Sequence, residues 1–439
     1  MSLNSNSRFR PSRRTFLLTA TAGALGVGGY TGWELLRDKD VAVPPTRAPL
    51  WDFEARQTGG RLNFSLAVDG GGVFAATSSP GILALDATTG RKRWSARLGE
   101  GSWESGSVTV ADGSAYLVTA TGAVQAYRAD DGELLWSARE LGSGYSGAAA
   151  VLGSTLCVQL TRYVDDEGPG KPGALCGLDS ATGRVRWTTP ASGIFQPLPG
   201  RQLLFARTGE LTDETHDARP VGAVNPLTGA VAWEAPASAD EETIGLSPDG
   251  DTVYLLDEEH RLCAYATGTG ERRWRVPAMD GVITVTEDGG TVYVCTYRGD
   301  LASYDARSGE RRWRRTVAKG YSRPAVAHRD GRVFITSGDG YGFDSFFGMG
   351  GERGYVLALA ADSGKELWRV NRMEPCSSPP TAVGDDVIVT HSADWWAYDA
   401  RTGKPRWRLA AASSITADPY VASGVLYGLC DDGIRAARL

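Results

Sequence analysis

Apolar and polar positions alternate along most of this chain in runs of about four to six residues, cut by turn formers. Residues 282–316 show the unit: VITVTED, a turn at Gly289-Gly290, TVYVCT, a turn YRGD, LASYDA and RRWRR. Short runs with a period of two, bounded by Gly, Asp and Asn, predict antiparallel strands. The end of the unit returns. YDARSGERRW at residues 304–313 becomes YDARTGKPRW at 398–407. The shared skeleton is an apolar run, then Asp, Asn or Ala, three residues later Thr or Ser, then Gly, any three residues, and Trp.

That skeleton ends at Trp94, Trp187, Trp233, Trp274, Trp313, Trp368 and Trp407, with a looser copy, AYRADDGELLW, at Trp136. The steps between these tryptophans run from 39 to 55 residues, and such a period signals a repeat architecture. The corner has a physical role. Gly takes positive φ at the bend into the last strand, and the nearby Asp or Thr bonds freed backbone amides. The Trp offers a large flat surface for packing one sheet on the next. A four-stranded sheet cannot bury both faces alone, so neighbours stack and the ring closes. The expected fold is all-β: a β-propeller of four-stranded antiparallel blades.

The taper of a blade agrees. First strands such as SGAAAVLG (from Ser146), SRPAVAHRDG (from Ser322) and SPPTAVGDD (from Ser378) carry small side chains suited to a crowded axis. Last strands read RKRW, RVRW, RRWR and RRWRR, where charge protects an open edge. Trp51 in PLWDFEA repeats the last strand, while the C-terminal YVASGVLYGLCDDGIRAARL supplies three strands without one. The Trp51 strand is therefore expected to complete the C-terminal blade. Counted literally the hairpins give nine blades, and eight if one unit is irregular.

These corners resemble the Trp-docking motif of the pyrroloquinoline-quinone-like (PQQ-like) β-propeller family, from about Trp51 to Leu439. The resemblance implies the fold more than an activity. Eight blades are usual in that family. It holds quinoprotein alcohol and sugar dehydrogenases, the lipoprotein of the outer-membrane barrel-assembly machinery, and extracytoplasmic sensor domains of some bacterial Ser/Thr kinases. Function must be argued from a site.

The N-terminus is of another kind. SRRTFLL at residues 12–18 matches a twin-arginine export signal, and residues 15–36 are mostly apolar and uncharged until Glu34. Residues 1–40 are expected to be a signal or an uncleaved membrane anchor, 41–50 a linker, and 51–439 the propeller. This places the propeller outside the cytoplasm, secreted or anchored. Residues 1–40 hold six of the 46 basic and three of the 52 acidic residues, so the rest carries 40 − 49 = −9. That charge argues against nucleic acid and against an anionic membrane surface as partners. The propeller is expected to be a monomer that meets the membrane only through its N-terminal segment.

A quinoprotein would, by the same resemblance, need adjacent cysteines against the quinone, a Ca²⁺ site and an Asp base. Cys157, Cys176, Cys263, Cys295, Cys376 and Cys430 include no neighbours, and no C-x-x-C-H haem motif occurs. PQQ and calcium are therefore disfavoured and no cofactor is expected. Cys157 and Cys176 flank one hairpin, which leaves a disulfide open. His216, His260, His328 and His391 show no zinc-ligand spacing. No G-x-S-x-G nucleophile occurs.

Three connections between second and third strands are long: residues 161–175, 207–222 and 337–355. The fold does not need them, and loops on a rigid scaffold are where function tends to sit. The first two are acidic, at Asp165, Asp166, Glu167, Glu210, Asp213, Glu214 and Asp217. The third sets Tyr341, Phe343, Phe346, Phe347 and Met349 among glycines, either as a binding patch or as a plug over the mouth. Trp103, Tyr145, Phe195 and Tyr321, with Arg323 beside the last, precede innermost strands and are candidate contacts around the axial opening. The favoured function is a non-catalytic binding or scaffold module for a protein or small ligand. A quinoprotein dehydrogenase and an extracellular hydrolase are the alternatives.

Overall fold

In the computed structural model the alternating runs form, among the described residues, 35 strands paired antiparallel within their sheets. The structure describes residues 42–439 except 56–61, 78–80, 98–105, 120–121, 139–140, 142–144, 162–173, 199, 201–202, 209–219, 238–243, 278, 280, 318–324, 338–353, 372–378, 392–393, 412, 414 and 416–417. Side chains of 63, 64, 145–148, 161, 192–194, 283 and 337 also lie outside the description.

The described strands fall into four-stranded units, numbered here as sheets 1 to 9. Sheets 1 to 4 span residues 62–97, 106–138, 145–190 and 191–235. Sheets 5 to 8 span 244–276, 282–316, 325–371 and 381–410. Sheet 9 is made of 420–438 together with the strand Trp51–Glu54. Sheets 3 and 4 share one long strand, Val185–Leu198. Its first half pairs outward-bound as the last strand of sheet 3, up to Pro190 opposite Ala174, and from Ala191 it is the innermost strand of sheet 4.

The ring follows from burial on both faces. The second strand of sheet 1, Gly72–Thr77, is buried at its first five positions. Val73 and Ala75 point into the core shared with sheet 9, whereas Phe74 and Ala76 point into the core shared with sheet 2. Further cores lie in the same way between sheets 2 and 3, 3 and 4, 4 and 5, 5 and 6, 6 and 7, and 8 and 9. Alternate side chains on each strand thus serve two neighbours, so no sheet is stable without both. Innermost strands touch those of the next sheet around the axis, and Leu62–Asp69 of sheet 1 meets Val425–Cys430 of sheet 9 across the closure. Trp51 pairs with Ala436 and Phe53 with Ile434, as the sequence predicts for the two ends. This is a β-propeller.

The repeated corner locks each junction. Trp94 Nε1 donates to the Ala129 carbonyl of the next sheet at 2.9 Å, and Trp136 to that of Ser180 at 2.9 Å. Trp51, Trp187, Trp233, Trp274, Trp313 and Trp368 make the equivalent bond to Ala87, Pro226, Thr267, Ala306, Ala361 and Ala400. The corner glycine has two reasons to be glycine. Gly183 has φ +71°, and a Cβ there would meet the Trp136 ring at 2.4 Å. Removing one such ring would cost about 3–5 kcal/mol, as for other large core truncations.

Trp407 is the exception, because the corner that should follow it falls between the two ends of the ring. Its Nε1 donates to Asp386 Oδ2 at 2.9 Å. The guanidinium of Arg47 covers its ring at 4.1 Å from the centroid. Residues 44–50, expected as a linker, lie along the outer strand of sheet 8. Thr46 bridges Arg408 in parallel, Arg47 N–H donates to the Arg408 carbonyl at 2.7 Å, and Arg408 N–H donates to Pro45 at 3.1 Å. Leu50 N–H then donates to Ala436 of sheet 9 at 2.7 Å.

Candidate functional site

The end of the ring that carries the second-to-third-strand connections is built two ways. In sheets 2, 5 and 6 the connection is a tight turn sealed by one buried polar side chain. Thr119 Oγ1 accepts the Ala123 amide at 3.1 Å, and Thr296 Oγ1 accepts the Asp300 amide at 3.1 Å. Asp257 accepts the Arg261 amide and Nε, both at 2.9 Å. Desolvation would raise the Asp257 carboxyl, but these bonds and the Arg261 charge outweigh it and hold the group below its ordinary range. In sheets 3, 4 and 7 the turn is replaced by the insertions, leaving from Thr161, Thr208 and Ser337 and returning at Ala174, Val221 and Tyr355.

Two of the candidate contacts, Tyr145 and Phe195, lie on the innermost strands of sheets 3 and 4. Tyr145 opens the innermost strand of sheet 3 and pairs with Thr161, at the root of the first insertion. Phe195 stands at a bulge in the innermost strand of sheet 4, opposite Ala206. It is half-buried and packs on the core between sheets 3 and 4. Ser192, three residues earlier on the other side of the bulge, pairs with Arg207 at the root of the second insertion. Tyr321 and Arg323 precede the innermost strand of sheet 7, Ala325–Arg329, but lie outside the described residues, as do Trp103, Tyr341, Phe343, Phe346 and Phe347. Sequence reasoning did not single out Arg207, which is only 4% exposed beside the acidic second insertion. Its signal was available: a charged residue directly after the apolar run LLFA, within the strand Leu203–Thr208.

On the opposite end a groove of about 690 Å³ lies between sheets 5 and 6. Its groups are committed to holding the junction. Tyr254 donates its hydroxyl to Glu287, and Glu287 Oε1 accepts the Gly290 amide at 3.2 Å. Arg312 spans Thr291 and Asp305, each at 2.7 Å. Burial and Glu287 push the Tyr254 hydroxyl up, and Arg312 with the Ser308 amide pulls Asp305 down to about 2. Both are thereby fixed in one protonation state, as suits a structural junction more than proton transfer.

The cysteines can be placed. Cys157, Cys176, Cys263, Cys295 and Cys430 are buried free thiols. Cys157 pairs across with Gly177 and Val158 with Cys176, an offset of one residue that sends the two sulfurs to opposite faces of sheet 3. One enters the core shared with sheet 4, the other that shared with sheet 2, so no disulfide joins them. Burial pushes the Cys157 and Cys295 thiols up to about 12. Among the described residues no His, Cys, Asp and Glu cluster could hold a metal ion. The residues present do not fit a quinone stacked on adjacent cysteines.

Residues 37–199, 217–340 and 352–438 match the family described as outer membrane protein assembly factor BamB. The chain belongs to this family. A BamB from Burkholderia pseudomallei (strain K96243) is 24% identical over 260 residues, which is 49% of this chain and 66% of that protein, just short of two thirds of its length. The crystal structure of BamB from Moraxella catarrhalis superposes with a TM-score of 0.51 at 17% identity, covering 76% of this chain and 93% of that one. A europium-containing methanol dehydrogenase superposes with a TM-score of 0.57 at 14% identity, covering 89% and 93%. At such identities the two structures speak for the propeller alone. The BamB family match adds that the scaffold occurs in a protein named for assembly.

Proposed function

We propose that this chain is an extracytoplasmic, non-catalytic propeller that binds a protein partner at its insertion end and acts as a scaffold in assembling envelope proteins. One observation carries the reading. The three insertions leave from sheets 3, 4 and 7 of a BamB-family ring, and Tyr145 and Phe195 lie on the innermost strands of sheets 3 and 4. Function concentrated on the connections that the fold does not require is the pattern of a recognition surface. The first and second insertions are acidic in sequence and the third is aromatic, so they offer charged and apolar contacts to a partner. Residues 1–40 would deliver the propeller across the cytoplasmic membrane and hold it there.

A photo-crosslinking residue at Phe346, in the full chain expressed in its own cells, tests this. The expected result is one discrete protein adduct that disappears when residues 338–353 are replaced by a short Asn-Gly turn. No adduct at Phe346, Tyr145 or Tyr321, with the protein folded and exported, would overturn the reading. Titration with PQQ and Ca²⁺ gives a second test. The expected thermal shift is nil, and a saturable rise would transfer the chain to the quinoproteins.

A further inference from the structure

The outer rim is not uniform. In sheets 1, 5 and 6 the two residues ahead of the repeat Trp are basic: Lys92-Arg93, Arg272-Arg273 and Arg311-Arg312. The second folds back on its own sheet, as when Arg93 reaches the Gly71 carbonyl at 2.8 Å and Asp86 at 3.1 Å. Sheets 3 and 8 keep that arginine as Arg186 and Arg406, and sheet 7 keeps a charge at Glu366. Sheets 2 and 4 keep neither, with Leu134-Leu135 and Val231-Ala232. Leu134 is 50% exposed and Leu135 42%, and Val185 on the sheet between is 49% exposed. The outer strand of sheet 2, Leu134–Ala138, has no charge and no proline, and among the described residues no strand pairs with its outer edge. Such an edge is a template for another strand.

Sheet 8 shows how this family of edges is occupied. The residue after its Trp, Arg408, pairs inward with Trp396 and exchanges both outward backbone bonds with the parallel segment Pro45–Arg47. Ser137 holds the same place in sheet 2, following Trp136 and pairing inward with Gln125. Its N–H and C=O therefore face outward at the same register.

We propose that the outer edge of Leu134–Ala138 receives an extended segment of a protein partner, parallel to it, bonded to Ser137 through backbone and seated on Leu134 and Leu135 through apolar side chains. The occupant is polypeptide because the pattern offers backbone groups and apolar side chains on an acidic molecule, with no basic cluster for an anionic lipid surface. The inference rests on the reading of the chain as a protein-binding propeller but uses a surface separate from the insertion end.

The probe is a fluorescent peptide of about ten residues with alternating Val and Thr and a Lys at each end. Its binding to the whole chain is followed by anisotropy, and amide exchange at Ser137 reports the contact. Saturable binding is expected, with slowed exchange at Ser137. Leu135→Arg restores the guard and should weaken binding by about tenfold at unchanged melting temperature. Ser137→Pro should abolish it, and Arg311→Ala on guarded sheet 6 should leave it within about twofold. Absence of binding, or binding indifferent to Leu135→Arg, overturns the proposal. Self-association that Leu135→Arg dissolves overturns it in favour of a second copy of the chain. If the Phe346 adduct forms while the peptide fails to bind, only the rim site falls.

Discussion

The guanidinium of Arg47 lies 4.1 Å from the centre of the Trp407 ring, where the other eight repeat tryptophans are covered by a corner glycine of the next sheet. Arg47 also donates Nη1 to the Arg438 carbonyl at 2.5 Å and its own amide to Arg408. It thus ties sheet 8 to sheet 9 at the one junction without a corner. Arg47→Ala removes a stacked cation and a charged hydrogen bond, together worth about 1–3 kcal/mol. The melting temperature should fall by ~2–8 °C, and Arg47→Lys should recover part of it. An unchanged transition in Arg47→Ala would show that sheet 9 holds without the clasp.

Two glycines separate conformation from contact. Gly113 has φ +74° with nothing within 4 Å of a built Cβ, whereas Gly183 has φ +71° with Trp136 at 2.4 Å. Gly113→Ala should cost only the left-handed backbone, ~1–2 kcal/mol. Gly183→Ala must also displace the ring, for ~2–4 kcal/mol in all. Denaturant titration of both variants checks the order, and equal losses would mean that the ring moves aside freely.

The propeller corner was legible in the chain because every junction imposes it: Gly183, Gly229 and Gly309 each serve a bend and a ring at once. The pairing of the Trp51 strand with the C-terminal sheet was legible too, but the clasp between sheets 8 and 9 was not, since a corner made of Arg47, Asp386 and Trp407 occurs once and repeats nothing. Between sheets 3 and 4 the sequence sets Phe195 ahead of an innermost strand, whereas Val185–Leu198 passes from one sheet into the next as a single strand that contains it. For the candidate site, the loops announced themselves by length. What they present depends on contacts that no repeat constrains, so the sequence names Tyr145 and Phe195 without arranging them.

Acid should loosen the corners together. At Asp86 and Asp179 the corner threonine hydroxyl, and next the outer-strand arginine, hold the carboxylate below its ordinary range, and Thr402 leads at Asp399. Asp305 is held near 2, chiefly by Arg312. The folded values are depressed, so the stabilisation is present above the unfolded value of about 4 and is lost as pH falls toward 2. Melting temperature should drop across that window. These groups are partly exposed and screened by solvent, so Asp305→Asn should cost only ~0.5–1 kcal/mol at pH 7, and its deficit should vanish as pH falls through 2. A deficit independent of pH would assign Asp305 a role without its charge.

Thiol chemistry reads the cores directly. With Cys157 and Cys295 pushed up to about 12 and Cys263 to about 11 by burial, their thiolates are scarce at neutral pH. Native protein at pH 8 should leave all five described cysteines unlabelled by iodoacetamide, and guanidinium should expose every one. Mass spectrometry without reductant should find Cys157 and Cys176 unlinked. A linked pair would require sheet 3 to be registered differently.

Sheet 9 takes strands from both ends of the propeller, with Trp51 meeting Ala436. A growing chain therefore remains an open arc, with the unfilled faces of sheets 1 and 8 bare, until its last strand is made. The most stable arrangement of the molecule depends on its longest-range contact, so closure should be the slow step of folding and the arc the species most in need of protection from aggregation.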